Sequence, residues 1–145
     1  MGLRFVPGTE LLAAADVTGS VRLLGPELAV RKEALIAPSG LSALDVDPSG
    51  ARLVVACERS ALLLDSATLE IVQTLGGHGS KVSAVAFAPD GQHLATCGYD
   101  NVLRVWDLAS EESECEYDGH DRDVNAVAFF PDGRRLVTGA EDESL

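Results

Sequence analysis

Long apolar runs are missing from this chain: no stretch of its 145 residues approaches the ~20 apolar residues that span a bilayer as a helix. A membrane partner is therefore not expected. The opening residues, M-G-L-R-F-V-P-G-T, hold no basic segment followed by a sustained apolar core, so no secretory leader is expected either. Val6 stands where N-myristoylation wants Ser or Thr. Basic residues are scarce, 11 Lys and Arg against 23 Asp and Glu, for a net charge of −12. The imbalance deepens along the chain: residues 73–145 hold 5 basic and 14 acidic side chains, against 6 and 9 in residues 1–72. A groove that follows a phosphate backbone needs clustered cations, so direct binding of nucleic acid is not expected. Cysteine is sparse and odd in number: Cys57, Cys97 and Cys115, with no C-x-x-C spacing. Disulfide frameworks use even counts and zinc sites use close ligand pairs. The three read as small buried or semi-buried thiols in a reducing compartment, with no metal and no cofactor implied. The expected location is intracellular, cytoplasmic with the nucleus left open.

What the chain does have is a globular composition, 46% hydrophobic and 23% charged, and a repeat. Pro7-Gly8, Pro48-Ser49-Gly50, Pro89-Asp90-Gly91 and Pro131-Asp132-Gly133 recur at spacings of 41, 41 and 42 residues. Upstream of three of them stand Leu41-x-x-Leu44-x-Val46, Val82-x-x-Val85-x-Phe87 and Val124-x-x-Val127-x-Phe129. Downstream of each comes a short apolar run, such as Leu53-Val54-Val55-Ala56 or Leu94-Ala95-Thr96. Val85 and Phe87 share one face of a strand, because strands alternate with period two. Val82 falls out of phase unless one residue is inserted, which predicts a β-bulge near the strand's start. Pro-Asp-Gly suits a tight turn, with Pro fixing φ, Asp bonding the backbone locally and Gly accepting positive φ. Tyr99-Asp100-Asn101 marks the next turn, Val102–Trp106 a third strand, and Leu28–Leu35, Glu70–Leu75 and Glu114–Tyr117 fourth strands. Apolar residues nowhere recur at helical spacing over a long window. Four short antiparallel strands in each unit of about 41 residues make the pattern of a propeller blade.

On specific residues the pattern resembles a known family. Gly77-His78, Pro89-Asp90-Gly91, Asp100 and Trp106-Asp107 resemble a full WD40 repeat, and Gly119-His120, Pro131-Asp132-Gly133 and Asp142 resemble most of another. Two earlier repeats keep the turn and strands but have Leu23-Leu24 and Leu64-Asp65 where Trp-Asp would stand. The stretch from Gly119 to Pro131 is also similar to a repeat of heterotrimeric G-protein beta subunits, which we read as variation within the family. The resemblance implies an all-β, WD40-type β-propeller of about three and a half four-stranded blades, open as a ring, with repeats at about 1–35, 36–76, 77–118 and 119–145. It implies a structural tetrad in which His78 bridges Asp100 and Thr96, with Trp106 completing the chain. In the last repeat the counterparts are His120, Thr138 and Asp142. The family's usual work is non-catalytic scaffolding of other proteins. The matching partner-binding positions are Lys81, Ser83 and Tyr99 in repeat three, and Arg122, Asp123, Asn125 and Glu141 in repeat four. That face, read as mostly acidic with an aromatic and two cations, would favour basic peptide segments.

Other readings were weighed against these. A Thr, a His and an Asp within reach invite a catalytic triad, but the same groups recur from repeat to repeat, whereas a catalytic centre needs one exposed nucleophile. Gly76-Gly77-His78-Gly79-Ser80-Lys81 lacks the spacing of a phosphate loop and reads as a loop between blades. Glu111-Glu112-Ser113-Glu114-Cys115-Glu116 reads as a solvated acidic edge, with phosphorylation of Ser113 by an acid-directed kinase as the sharper alternative. His93 is assigned nothing. The strand around Leu3 and Phe5 aligns with Val85 and Phe87, and Leu145 aligns with Leu103, so both ends are expected to cut through a blade. Propellers close at ~4–8 blades, which makes a fragment, a short isoform or an incomplete gene model the expected status, with self-association through open sheet edges as a consequence. A propeller hydrolase or lactonase is the second functional reading; of the carboxylates it needs around the axis, Asp45 and Asp47 come nearest. A nonfunctional truncated product is the third.

Overall fold

A computed structural model describes residues 2–110 and 112–142. Glu111 of the acidic run and Leu145 lie outside the described residues, as does the side chain of Glu112. Every element but one short turn is a strand. The first blade is β1 (Gly2–Phe5), β2 (Leu12–Ala15), β3 (Ser20–Leu24) and β4 (Val30–Leu35), with a single 3-10 turn, Pro26–Leu28, before its last strand. The second is β5 (Ala43–Val46), β6 (Arg52–Cys57), β7 (Ser60–Asp65) and β8 (Ile71–Gly76). The third is β9 (Val82–Phe87), β10 (His93–Gly98), β11 (Leu103–Asp107) and β12 (Glu112–Tyr117), and the last sheet pairs β13 (Val124–Phe129) with β14 (Leu136–Ala140). Each blade is antiparallel with its strands in sequence order, giving three four-stranded sheets and one of two strands. The innermost strands stand side by side in the order β1, β5, β9, β13. This is an all-β propeller of three and a half blades whose ring is open among the described residues. No described helix is long and apolar enough to cross a membrane.

The inserted residue expected at the start of the first strands is present in both strong repeats. The β9–β10 register passes from Cys97↔Ala84 to Gly98↔Val82, leaving Ser83 extra. The β13–β14 register likewise leaves Asn125 extra. The Pro-Asp-Gly turns close as their chemistry demands. Gly91 sits at φ +67, its N–H donates to the Ala88 carbonyl at 2.9 Å, and Asp90 Oδ1 accepts from the Gln92 N–H at 2.8 Å. One regular irregularity was not foreseen. The pairing of third and fourth strands shifts at Leu23/Leu24, Leu63/Leu64 and Val105/Trp106, at the same place in each of the three four-stranded blades.

The core lies between blades. Ala13, Val21 and Leu23 of blade one pack with Leu44, Leu53, Val55 and Leu64 of blade two. From the opposite face of blade two, Val54, Ala56, Leu63 and Leu75 pack with Val82, Val85, Phe87, Leu94 and Trp106 of blade three. Strand β6 is thus buried on both faces, which is why its sequence is a continuous apolar run rather than an alternating one. The third cluster, Ala95, Cys97, Leu103 and Val124, is smaller. A fully buried Leu or Val contributes about 1.5–3 kcal/mol, so cohesion is greatest around blade two and declines toward β14.

Candidate functional site

Two strands and two loops bring the blade-three polar residues together. His78 comes from the loop before β9, Thr96 from β10, Asp100 from the β10–β11 turn and Trp106 from β11. The indole Nε1–H donates to Thr96 Oγ1 at 2.9 Å. Thr96 Oγ1 stands 2.7 Å from His78 Nε2, and His78 Nδ1 stands 2.9 Å from Asp100 Oδ2. One assignment of protons satisfies every link. Trp106 donates to Thr96, the Thr96 hydroxyl donates to Nε2 of a neutral imidazole, and Nδ1–H donates to the carboxylate. Asp100 Oδ2 also accepts the Gly79 N–H at 2.7 Å and lies 3.3 Å from Arg104 Nη1. Burial lowers the His78 pKa and outweighs the opposing pull of Asp100, in keeping with a neutral ring. Burial pushes the Asp100 carboxyl up, but the bonds from His78, Gly79 and Val102 together hold it below its ordinary value. Thr96 is fully buried and both sides of its hydroxyl are engaged, so it cannot present a nucleophile to solvent. Nearby, burial raises the Cys97 thiol to about 11; Cys57 is half-buried, but Cys115, expected to be at least partly buried, is exposed on the outer strand β12.

The last sheet repeats part of this geometry. His120 Nδ1 lies 3.0 Å from Asp142 Oδ2, His120 Nε2 lies 2.7 Å from Thr138 Oγ1, and the Asp121 N–H donates to Asp142 at 3.0 Å. A cleft of about 410 Å³ lined by Leu103, Tyr117, His120, Leu136 and Thr138 opens beside it. Blades one and two use other chemistry. Asp16 holds its own β2–β3 turn by accepting from the Thr18 hydroxyl at 2.6 Å, the Ser20 N–H at 3.1 Å and Arg22 Nη1 at 2.6 Å, which together keep its carboxyl well below the usual range.

A second polar set joins blade to blade. Ser42 Oγ donates to the Val82 carbonyl at 2.7 Å, and Ser83, one blade on, donates to the Val124 carbonyl and to the Cys97 carbonyl at 3.1 Å. Asp45 links three blades: Oδ1 accepts from Arg4 Nε at 3.1 Å and Oδ2 from the Phe87 N–H at 2.9 Å. Asp47 is buried and takes the Ser49 hydroxyl at 3.0 Å and Arg52 Nε at 3.2 Å. The two carboxylates nearest to an enzyme's requirement are therefore both engaged within the scaffold. Among the described residues no three His, Cys, Asp or Glu side chains converge as metal ligands.

Of the partner-face candidates, Ser83 and Asn125 stand at the bulges of β9 and β13, and the others lie on loops next to strand ends. Lys81, Tyr99, Arg122, Asn125 and Glu141 are exposed and Asp123 is half-buried. Asn125 Nδ2 donates to Glu141 Oε1 at 3.2 Å, and the Glu141 N–H donates to the Asp123 carbonyl at 3.0 Å, so three of the four blade-four positions form one cluster. Ser83 is set apart from the rest, half-buried with its hydroxyl directed into the blade interface. Sequence reasoning missed Val17 and Glu58, which occupy the place of Tyr99 in blades one and two and line a cleft of about 400 Å³ with Lys81. The 41-residue spacing carries Tyr99 back to both of them, but those repeats lack the motif that drew notice to repeats three and four. His93, assigned nothing, places Nδ1 2.7 Å from Asp90 and Nε2 3.7 Å from Glu114, tying the first hairpin of blade three to its outer strand.

Comparison with known proteins returns one family. A profile described as "WD domain, G-beta repeat" matches residues 69–107 and 111–145. The chain is 33% identical over 105 residues to Centriole proteome protein 16 of Chlamydomonas reinhardtii, an alignment covering 71% of this chain and 5% of that protein. It is 53% identical over 38 residues to WD repeat-containing protein 90 of Mus musculus, covering 26% of this chain and 2% of that one. WD repeat-containing protein 1 of Bos taurus is 30% identical over 113 residues, covering 74% of this chain and 18% of the relative. The chain thus spans a small part of the length of each of these relatives.

Proposed function

The chain belongs to the WD40-repeat family, and from that membership we propose that it is a non-catalytic scaffold whose loop face binds basic segments of other proteins. The observation that carries this reading is the division of polar groups in blades three and four. Inside, the His78–Asp100–Thr96–Trp106 chain has every member paired, which suits a device that fixes blade geometry and leaves nothing for chemistry. Outside, Lys81, Tyr99, Arg122, Asp123, Asn125 and Glu141 present hydrogen-bonding groups and an aromatic ring, with further acid from Asp118 and Asp121 at the edge. A rim of this charge steers cationic segments and raises their encounter rate.

Fluorescence anisotropy with a labelled Lys-rich peptide and a matched Glu-rich peptide tests the reading. The Lys-rich peptide binds, and its affinity falls as salt rises to ~0.15 M, where the Debye length is ~8 Å. Equal binding of the two peptides, or binding of neither, refutes it. Self-association belongs to the same proposal. Phe5 on β1 is 78% exposed, with Leu3 and, on β14, Val137 also open to solvent. Light scattering at micromolar concentration should find species larger than a monomer, and a monodisperse monomer removes that part of the proposal.

A further inference from the structure

Blade two has neither the His nor the Asp of blades three and four, and what replaces them makes a different site. Ala37 and Arg59 lie 41 residues before His78 and Asp100, so a cation stands where blades three and four have an acid. Arg59 Nε donates to the His78 carbonyl at 3.1 Å, which fixes the guanidinium against the loop entering blade three. Beside it, where blades one, two and three meet, is the cleft of about 400 Å³, lined in part by Val17, Ser39, Glu58, Arg59, Ser80 and Lys81. Sites for small ligands and single side chains begin at ~300 Å³.

Ion pairing divides the chain's 11 cations into two groups. Arg4, Arg22, Arg52, Arg104 and Arg135 each have a carboxylate within 3.3 Å. Arg31, Lys32, Arg59, Lys81, Arg122 and Arg134 have no ion-pair partner among the described residues, and two of these six, Arg59 and Lys81, line the same cavity in a chain of net charge −12. Arg59 keeps its two terminal nitrogens, Lys81 its Nζ and Ser80 its hydroxyl for an occupant.

We propose that this cleft takes the carboxylate of an Asp or Glu side chain of the bound partner segment. Arg59 and Lys81 against Glu58 leave about one net positive charge, which one carboxylate balances; a phosphate brings about −1.5 to −2. The guanidinium, held at Nε, turns its remaining donors outward in the fork that matches carboxylate geometry. Lys81 belongs both to this cleft and to the loop face, so the partner segment carries an acidic anchor at blades two and three and its basic stretch toward blade four. This rests on the scaffold reading above.

The test is anisotropy on the full chain with a set of short Lys-containing peptides in which one position, moved along the peptide, is Glu, Gln or phosphoserine. In one register Glu should bind about tenfold tighter than Gln, a difference of about 1.4 kcal/mol. Arg59→Gln should bring the Glu/Gln ratio close to one, with Arg59→Lys restoring part of it; should Arg59→Gln fail to fold, Lys81→Gln gives the same ratio. Lys-dependent binding with Glu equal to Gln in every register overturns the cleft proposal and leaves the scaffold reading standing. Phosphoserine outcompeting Glu overturns the carboxylate assignment. Failure of every peptide to bind overturns the scaffold reading and the cleft with it.

Discussion

Replacing Thr96 with Val isolates the polar chain of blade three, because it removes one hydroxyl and keeps the shape of the side chain. Thr96 is fully buried, His78 is 2% exposed and Trp106 4%, so water cannot replace the lost group. Two partners are orphaned at once: the indole N–H, which had an acceptor at 2.9 Å, and the imidazole Nε2, which had a donor at 2.7 Å. A buried unsatisfied group costs about 1–3 kcal/mol, and the added methyl returns about 0.8 kcal/mol of burial. The expected net loss is about 3 kcal/mol. Thr138→Val provides the control, since Thr138 pairs with His120 at 2.7 Å in a half-buried setting and orphans one group where water can reach. Its expected loss is about 1 kcal/mol. The chain has a single tryptophan, Trp106, so urea unfolding followed by its fluorescence reads the wild type and both variants in the blade where the difference should appear. Trp106→Phe, alone and combined with Thr96→Val, completes a double-mutant cycle followed by circular dichroism. A coupling of at least about 0.5 kcal/mol is expected for groups in direct contact. If Thr96→Val costs no more than Thr138→Val, or if the two blade-three changes are simply additive, the polar chain does not specify the blade and the account given of it is wrong.

Two further outcomes are expected. Trp106→Ala should destabilise by about 3–5 kcal/mol, as loss of a large buried ring does, and Tyr99→Ala far less because Tyr99 is 44% exposed; equal melting shifts would contradict the placement of strand and turn. In the folded chain burial holds His78 below its ordinary pKa of 6.5, while the unfolded chain takes up the proton at that value, so stability should fall as pH drops below 6.5 toward the folded value. Asp90 raises His93 instead, a contribution present below 6.5 and lost as pH rises through its folded value, and small because the side chain is a third exposed. Thermal melts from about pH 8 to 5 should show the acid-side loss in the wild type and a flatter profile in His78→Gln; identical slopes would remove His78 as the source.

The all-β fold of repeated antiparallel strands was legible in the sequence because a Pro-x-Gly turn and a period-two apolar strand each leave a local mark. The bulge before Val85 was legible for the same reason, as a phase error of one residue between Val82 and Val85. What crosses from blade to blade was not legible. Asp45 reads as an inward acid, and only the packing of β1, β5 and β9 shows it shared between Arg4 and the Phe87 N–H. The regular shift between third and fourth strands left no mark either, because the outer strands, with exposed residues such as Val30, Ile71 and Val72, carry little of the core and hence little pattern.

Blade two shows why repeats can lose the motif and keep the fold. In blade three the buried positions Thr96, His78 and Asp100 require each other, so losing any one leaves the others unpaired at a cost of order kcal/mol. At the matching positions, Ala37 and Arg59, blade two has no His–Asp pair to orphan. Leu53, Val54, Val55, Leu63 and Leu64 are all within 1% of full burial, and its tight turn at Glu58–Arg59 closes without a bridging histidine. A well-packed apolar set can equal or exceed a buried polar network in stability. The Asp position is then released from structural duty, and Arg59 can turn its charge toward the surface. The apolar interior of blade two and the cation beside it go together: with no histidine to hold, the blade-two turn carries Arg59 where blade three must keep Asp100.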